Sequence, residues 1–230
     1  QANVRPDAGQ AVRVDWAALK GALAQAPLEG TPGAANPLVV SLPMPDGTWT
    51  RFAIVDSPVM EPGLAVGFPE IRTFAGQGID DPASTVRMDY TPHGFHAQVF
   101  TVDGSWYVDP YTMGETTIVT SYWKRDLRPQ PGNWVCHAED DGVLPPANPG
   151  YDQRAIVTLR TYTLAVGATG QYTTFHGGTQ ALGLAAITTA VNRLNQVYER
   201  DLAVRFVLAT NNINIVYTNP NTDPYLNNGS

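Results

Sequence analysis

The stretch that most limits how this chain can fold is residues 159–218, which read as strand, helix, strand. LRTYTLAVGAT (159–169) is β-branched and aromatic, as half-buried strands tend to be. A long helix follows over 179–200. Its Leu184, Ile187, Val191, Leu194 and Tyr198 fall at steps of three and four and form one apolar stripe. Ala181, Ala185, Ala186 and Ala190 widen that stripe and allow a sheet to approach closely. Gly177-Gly178-Thr179 supplies a turn and a hydroxyl cap for the helix N-terminus. Strands are expected at 203–209 and 213–218. Strand, long helix, strand implies a crossover unit with parallel strands. Such a unit cannot bury both faces of its own sheet, so other residues must cover it.

The preceding chain has a different rhythm. A short helix is expected over 15–25, with Asp15 as cap and Trp16, Leu19 and Leu23 on one side. Strands follow at 38–42 and 49–55, flanking the hairpin signal Asp46-Gly47. Residues 85–91 (TVRMDYT) and 95–101 (FHAQVFT) alternate apolar with polar around a turn at 91–94, and 105–108 and 116–123 extend the series. Short strands joined by tight turns predict an antiparallel sheet or sandwich. Residues 126–152 carry Pro129, Pro131, Pro145, Pro146 and Pro149 without periodicity, and read as a linker. The expected class is therefore α+β: a β-rich domain at 1–125, a linker at 126–152, and an incomplete α/β domain at 153–230.

Composition bounds the function. The net charge of −7 and the lack of a basic cluster argue against a nucleic-acid partner. No apolar run is long enough for a membrane span. A single cysteine, Cys136, excludes a disulfide within the chain. Only two lysines, Lys20 and Lys124, and 15% charged residues resemble a secreted bacterial protein. The start at Gln1, without Met, suggests a trimmed or partial product.

The residues alone give no complete active site. His93 and His96 read as a surface turn residue and a strand residue rather than a metal pair, and His176 as a loop residue beside the helix cap. Cys136-His137 lacks a local geometry for a nucleophile and base. The paired acids Asp80-Asp81 and Glu139-Asp140-Asp141 read as solvated loop residues. No GxSxG, P-loop or HExxH motif is present.

Whole segments carry more. LRTYTLAVGATGQYTTFHGG (159–178), ALGLAAITTAVNRLNQVYERDLAVRFVLATNN (181–212) and IVYTNPNTDPYLNNGS (215–230) resemble the start of the catalytic domain of bacterial reprolysin-like zinc metallopeptidases of the metzincin clan. FPEIRTFAGQGIDD (68–81) and TVRMDYTPHGFHAQVFTVDGSWYVDPY (85–111) resemble the β-rich pro-region of the same proteins. The resemblance implies a secreted zymogen acting on proteins or peptides, with an intramolecular contact between pro-region and protease. In that family zinc is held by HExxHxxGxxH, downstream of the strands seen here. No zinc ligand can be assigned to any position of this sequence, and these residues alone are expected to be inactive, with no zinc bound to them.

The resemblance gives two further positions a meaning. Several metzincin families keep the enzyme latent with a pro-region thiolate at the open zinc position, and Cys136 stands where such a ligand would lie. The flanking WVCHAED does not reproduce the better-known switch motifs. Lys124-Arg125, at the start of the linker, is a candidate processing site. Two alternatives remain open: a secreted binding or adhesion module, and a pro-domain that inhibits or chaperones a protease.

Overall fold

A computed structural model describes residues 4–127 and 158–225. In the first span the elements are β1 (Gln10–Arg13), α1 (Trp16–Leu23), β2 (Leu38–Pro43), β3 (Trp49–Asp56), the single turn α2 (Pro62–Ala65), β4 (Arg72–Gly78), β5 (Thr85–Thr91), β6 (Gly94–Thr101), β7 (Gly104–Pro110) and β8 (Ile118–Trp123). The second span holds β9 (Arg160–Leu164), α3 (Gly170–Phe175), α4 (Gln180–Leu202) and β10 (Val204–Leu208).

Strands β2 to β8 form an antiparallel meander, with β1 added beside β8, in the order β1-β8-β7-β6-β5-β4-β3-β2. This is one eight-stranded sheet, not a sandwich. It curls until Ser121 Oγ on β8 donates to the carbonyl of Pro43 at the end of β2, 2.8 Å away. Alternate residues on one face make a single apolar core that includes Phe52, Phe74, Met88, Val99 and Trp106. Helix α1 fills it with Leu23, while Trp16 stands edge-on to Tyr90. Asp15 caps α1 by accepting from the Ala18 amide at 3.0 Å.

Two strands were not expected from sequence. β1 is only four residues, QAVR, at the sheet edge, too short for an alternation signal. β4 reads RTFAGQG and lacks side chains where it crosses its neighbours. A Cβ on Gly76 would lie 2.6 Å from Ile54 Cγ2, so glycine is needed there for strand contact.

The parallel pair β9 and β10 flanks α4 as the crossover pattern implies, with Val204 opposite Arg160 and Leu208 opposite Leu164. The expected strand at 213–218 is instead a 3-10 turn over Asn212–Ile215, followed by one bridge between Ala168 and Val216. Asn212 explains the change. Its buried side chain accepts from the Val166 amide and donates to the Val166 carbonyl, which pins the chain in a turn. Helix α4 is capped by Thr179 and ends at Ala203, whose φ of 51° is left-handed. Ala203→Gly is expected to stabilise the chain by about 0.5 kcal/mol, the relief of a left-handed Cβ less the added freedom of the unfolded glycine. A rise in urea midpoint at constant m-value is the readout.

The layers explain both faces of α4. Leu184, Ile187 and Val191 share a second core with Leu208 and Val216 of the small-sheet side. The other face, bearing Thr189, Asn192, Arg193 and Gln196, lies on the face of the large sheet opposite its apolar core. Leu194, expected within the apolar stripe, is 37% exposed, and Ala190 is exposed as well.

Candidate functional site

The site with the densest chemistry is the seam between the large sheet and α4. Strands β5, β6 and β7 place Asp89, His96 and Asp109 side by side, since Asp89 pairs with His96 and Ala97 with Val108. Asp89 Oδ1 takes a bond from His96 Nδ1 at 2.9 Å and from Thr189 Oγ1 at 2.8 Å. Asn192 Nδ2 donates to the Met88 carbonyl at 2.9 Å. Asp109 accepts from Arg193 and from the Tyr122 hydroxyl. Burial pushes the Asp109 carboxyl up, but Arg193, His96 and the Tyr122 hydroxyl outweigh it and hold it below the ordinary carboxylate value. Burial and the Asp109 charge push the Tyr122 phenol up, so it remains a donor.

A second run of charges crosses the same seam. Arg87, 2% exposed at its side chain, donates to Asn192 Oδ1 at 3.1 Å and to Glu199 at 2.5 Å. Glu199 also accepts from Arg205, and Arg205 forks onto both oxygens of Glu29 at 2.7 and 3.0 Å. Ser57 Oγ completes the Glu29 contacts at 2.6 Å. Burial pushes Glu29 up, and its bonds from Arg205 and Ser57 bring it below the usual value. Each charge in this run therefore faces an opposite charge, as buried ions require.

The loop between β3 and β4 supplies an apolar contact to the same segment. Val59, Met60, Leu64 and Ile71 are buried in the second core beside Leu184, Ile187 and Leu208. This loop also lies along β10 like a third strand. The Leu208 amide donates to the Val59 carbonyl and the Glu61 amide donates to the Leu208 carbonyl. Glu61 accepts from the amide and hydroxyl of Thr210 and from the Thr163 hydroxyl.

The sequence-derived candidates fare unequally. His93, expected at the surface, is 8% exposed, because the hairpin tip is covered by the head of α4. Its Nε2 lies 2.9 Å from the Leu182 carbonyl. His96 is buried on its strand against Asp89. Lys124 and Arg125 sit exposed on a 3-10 turn directly after β8, with Arg125 stacked 4.5 Å from the Trp123 ring. Cys136, His137 and nearly all of the linker fall outside the described residues. Among the described residues, no group of three His, Cys, Asp or Glu is placed to hold a metal. The described residues do not by themselves make a zinc site. No helix of the described residues is long and apolar enough to cross a membrane.

What sequence reasoning missed is the polar side of α4. Thr189, Asn192, Arg193 and Gln196 are spaced by three, one and three, which keeps them on one helical face. Thr85, Arg87 and Asp89 alternate along β5 and also share a face. Those two polar stripes were the available signal that one covers the other.

Comparison with known proteins bears on the C-terminal third of the chain. Residues 158–230 match the family model described as Metallo-peptidase family M12B Reprolysin-like. The matched span begins just before β9 and includes α4 and β10. No curated protein matches the chain. The C-terminal segment is therefore similar to reprolysin-like metallopeptidases.

Proposed function

We propose that this chain is the front of a secreted zinc metalloendopeptidase zymogen. Residues 1–125 are its pro-region, 126–152 its connector, and 153–230 the beginning of its protease domain. One observation carries this reading. The helix of the reprolysin-like segment turns its apolar face to its own small sheet and the β3–β4 loop, and its polar face is covered by the large sheet. A helix with a polar face can meet water once that cover leaves, so the seam suits a removable partner rather than a permanent core.

Peptide-bond hydrolysis would belong to the full-length protein, where zinc held by an HExxHxxGxxH segment would activate the attacking water. These 230 residues contain no such motif and by themselves are inactive. Secretion is supported by the near absence of lysine and the low charge content. In the full-length protein, removing zinc with a chelator is expected to abolish peptide hydrolysis and adding zinc back to restore it; hydrolysis indifferent to the chelator contradicts the reading.

Two positions regulate the zymogen in this reading. Cys136 would be the latency ligand, supplying a thiolate to the zinc of the full-length protein. Cys136→Ser in the full-length protein should raise basal proteolysis, and unchanged latency removes that role. Lys124-Arg125 is the processing site, exposed at the end of the sheet. Sequencing the N-terminus of the matured protein should find a start between residues 124 and 152; a start elsewhere excludes it.

A chaperone role for the pro-region is favoured by a separate observation. The loop carrying Val59, Met60, Leu64 and Ile71 completes the core of the reprolysin-like segment. The large sheet with that loop then serves both as inhibitor and as folding partner of the segment it holds.

A further inference from the structure

His93 and His176 meet across the junction between the two halves. His93 stands at the tip of the β5–β6 hairpin, and His176 closes α3 just before the head of α4. Their ring centroids are 5.5 Å apart and the rings are steeply inclined. Tyr172 and Phe175 pack on His176 at 4.5 and 5.0 Å, and the Leu182 carbonyl of α4 lies 2.9 Å from His93 Nε2. A carbonyl only accepts, so Nε2 carries the proton and the neutral ring keeps its lone pair on Nδ1.

We propose that this histidine pair is a pH-gated contact: as neutral rings they hold the α3–α4 turn on the β5–β6 hairpin, and protonation of both opens that junction. The bond from Nε2 to Leu182 survives protonation. What changes is that two like charges face each other in a partly buried site. Burial holds His93 below its ordinary value, with His96 adding to the effect, while the Leu182 carbonyl and Asp89 oppose it. Burial holds His176 down as well, and His93 adds to it. The other groups near the pair do not replace it. Asp89 is already bonded to His96 and Thr189, and burial pushes the Tyr172 phenol up, so it stays neutral through the relevant range. Further along the seam, Arg193 is held by Asp109.

The sign follows from linkage. The closed junction disfavours protons on both rings, so the open state binds more of them. The closed state is fully favoured above the ordinary histidine value of about 6.5 and loses ground as pH falls below it. Two protons taken up together change the opening constant by up to about a hundredfold per pH unit. As a device that frees the protease segment, the gate rests on the zymogen reading; the opening itself does not.

The test is amide hydrogen exchange on the 230-residue chain, corrected for intrinsic rate, between pH 7.5 and 5.0. The opening constant of residues 170–186 is expected to rise at least about tenfold, while the central strands β5–β7 keep their protection. In His93→Gln with His176→Phe, Gln keeps a donor for Leu182 and Phe keeps a ring beside Tyr172, and the rise should fall below about twofold. His176→Phe alone, at the less buried ring, should shallow the slope and serves where the double variant does not fold. A flat profile in the parent chain, or the parent's slope retained in the variants, overturns the gate. Because no peptidase activity is read, either result leaves the zymogen reading standing, and a failure of that reading leaves the opening measurable.

Discussion

Replacing Asp109 with alanine is expected to lower the stability of the chain by about 3 kcal/mol, as loss of one partner of a buried ion pair does. The side chain is 5% exposed and accepts from both Arg193 and the Tyr122 hydroxyl. Alanine leaves a phenol without its acceptor and a guanidinium without its counter-charge. Arg193 is 31% exposed, so it reaches water in part, and the cost belongs at the lower end for such pairs. Urea denaturation at constant m-value reads it. In Asp109→Ala with Arg193→Met the cation is gone too, and the combined loss should be well below the sum of the single losses. Additive losses would mean that the two side chains are not coupled across the seam. The pH dependence has a fixed sign. Native Asp109 sits below its unfolded value, so its contribution is present above about pH 4 and disappears as pH falls through the native value. The gap between the parent chain and Asp109→Asn should therefore close in acid.

Leu64→Ala should cost about as much, roughly 3 kcal/mol for a buried leucine emptied to a cavity. Leu64 is 2% exposed in the loop between β3 and β4, yet its neighbours in the core include Leu184, Ile187 and Leu208. The location of the damage is more telling than its size. Hydrogen exchange should show lost protection in α4 and β10, over a hundred residues away in sequence, and little change in β5 to β7. Loss confined to the large sheet would mean that the loop belongs to the first core alone.

The long helix and most hairpins could be read from the sequence because their signals are local. Leu184, Ile187 and Val191 repeat at helical spacing, and Gly47, Gly94 and Gly104 take the positive φ that their turns require. β4 could not, since two of its inward positions are glycines that carry no hydrophobic signal. Asn212 misled differently: Ile213, Ile215 and Val216 suggest a strand, and a buried amide side chain pins the chain in a turn. The seam was hidden for a tertiary reason. Nothing local in the sequence pairs Arg193 and Gln196 with a partner, and only the sheet laid over them joins the half-buried Arg193 to Asp109 and the buried Gln196 to Thr85. His93 followed the same course, as a turn residue whose burial comes from α4. For Lys124 and Arg125 the sequence signal of a basic pair coincides with exposure on a turn, while Cys136 drew its meaning only from the family resemblance.

The large sheet with its β3–β4 loop holds and completes the reprolysin-like segment. The direct measurement is to place a specific protease site between residues 128 and 157, cut the folded chain, and pass it through gel filtration at about 1 μM, a concentration that separates partners bound more weakly than micromolar. The two pieces are expected to elute together and to unfold in one transition. Two pieces that part at this concentration, each folded on its own, would contradict it.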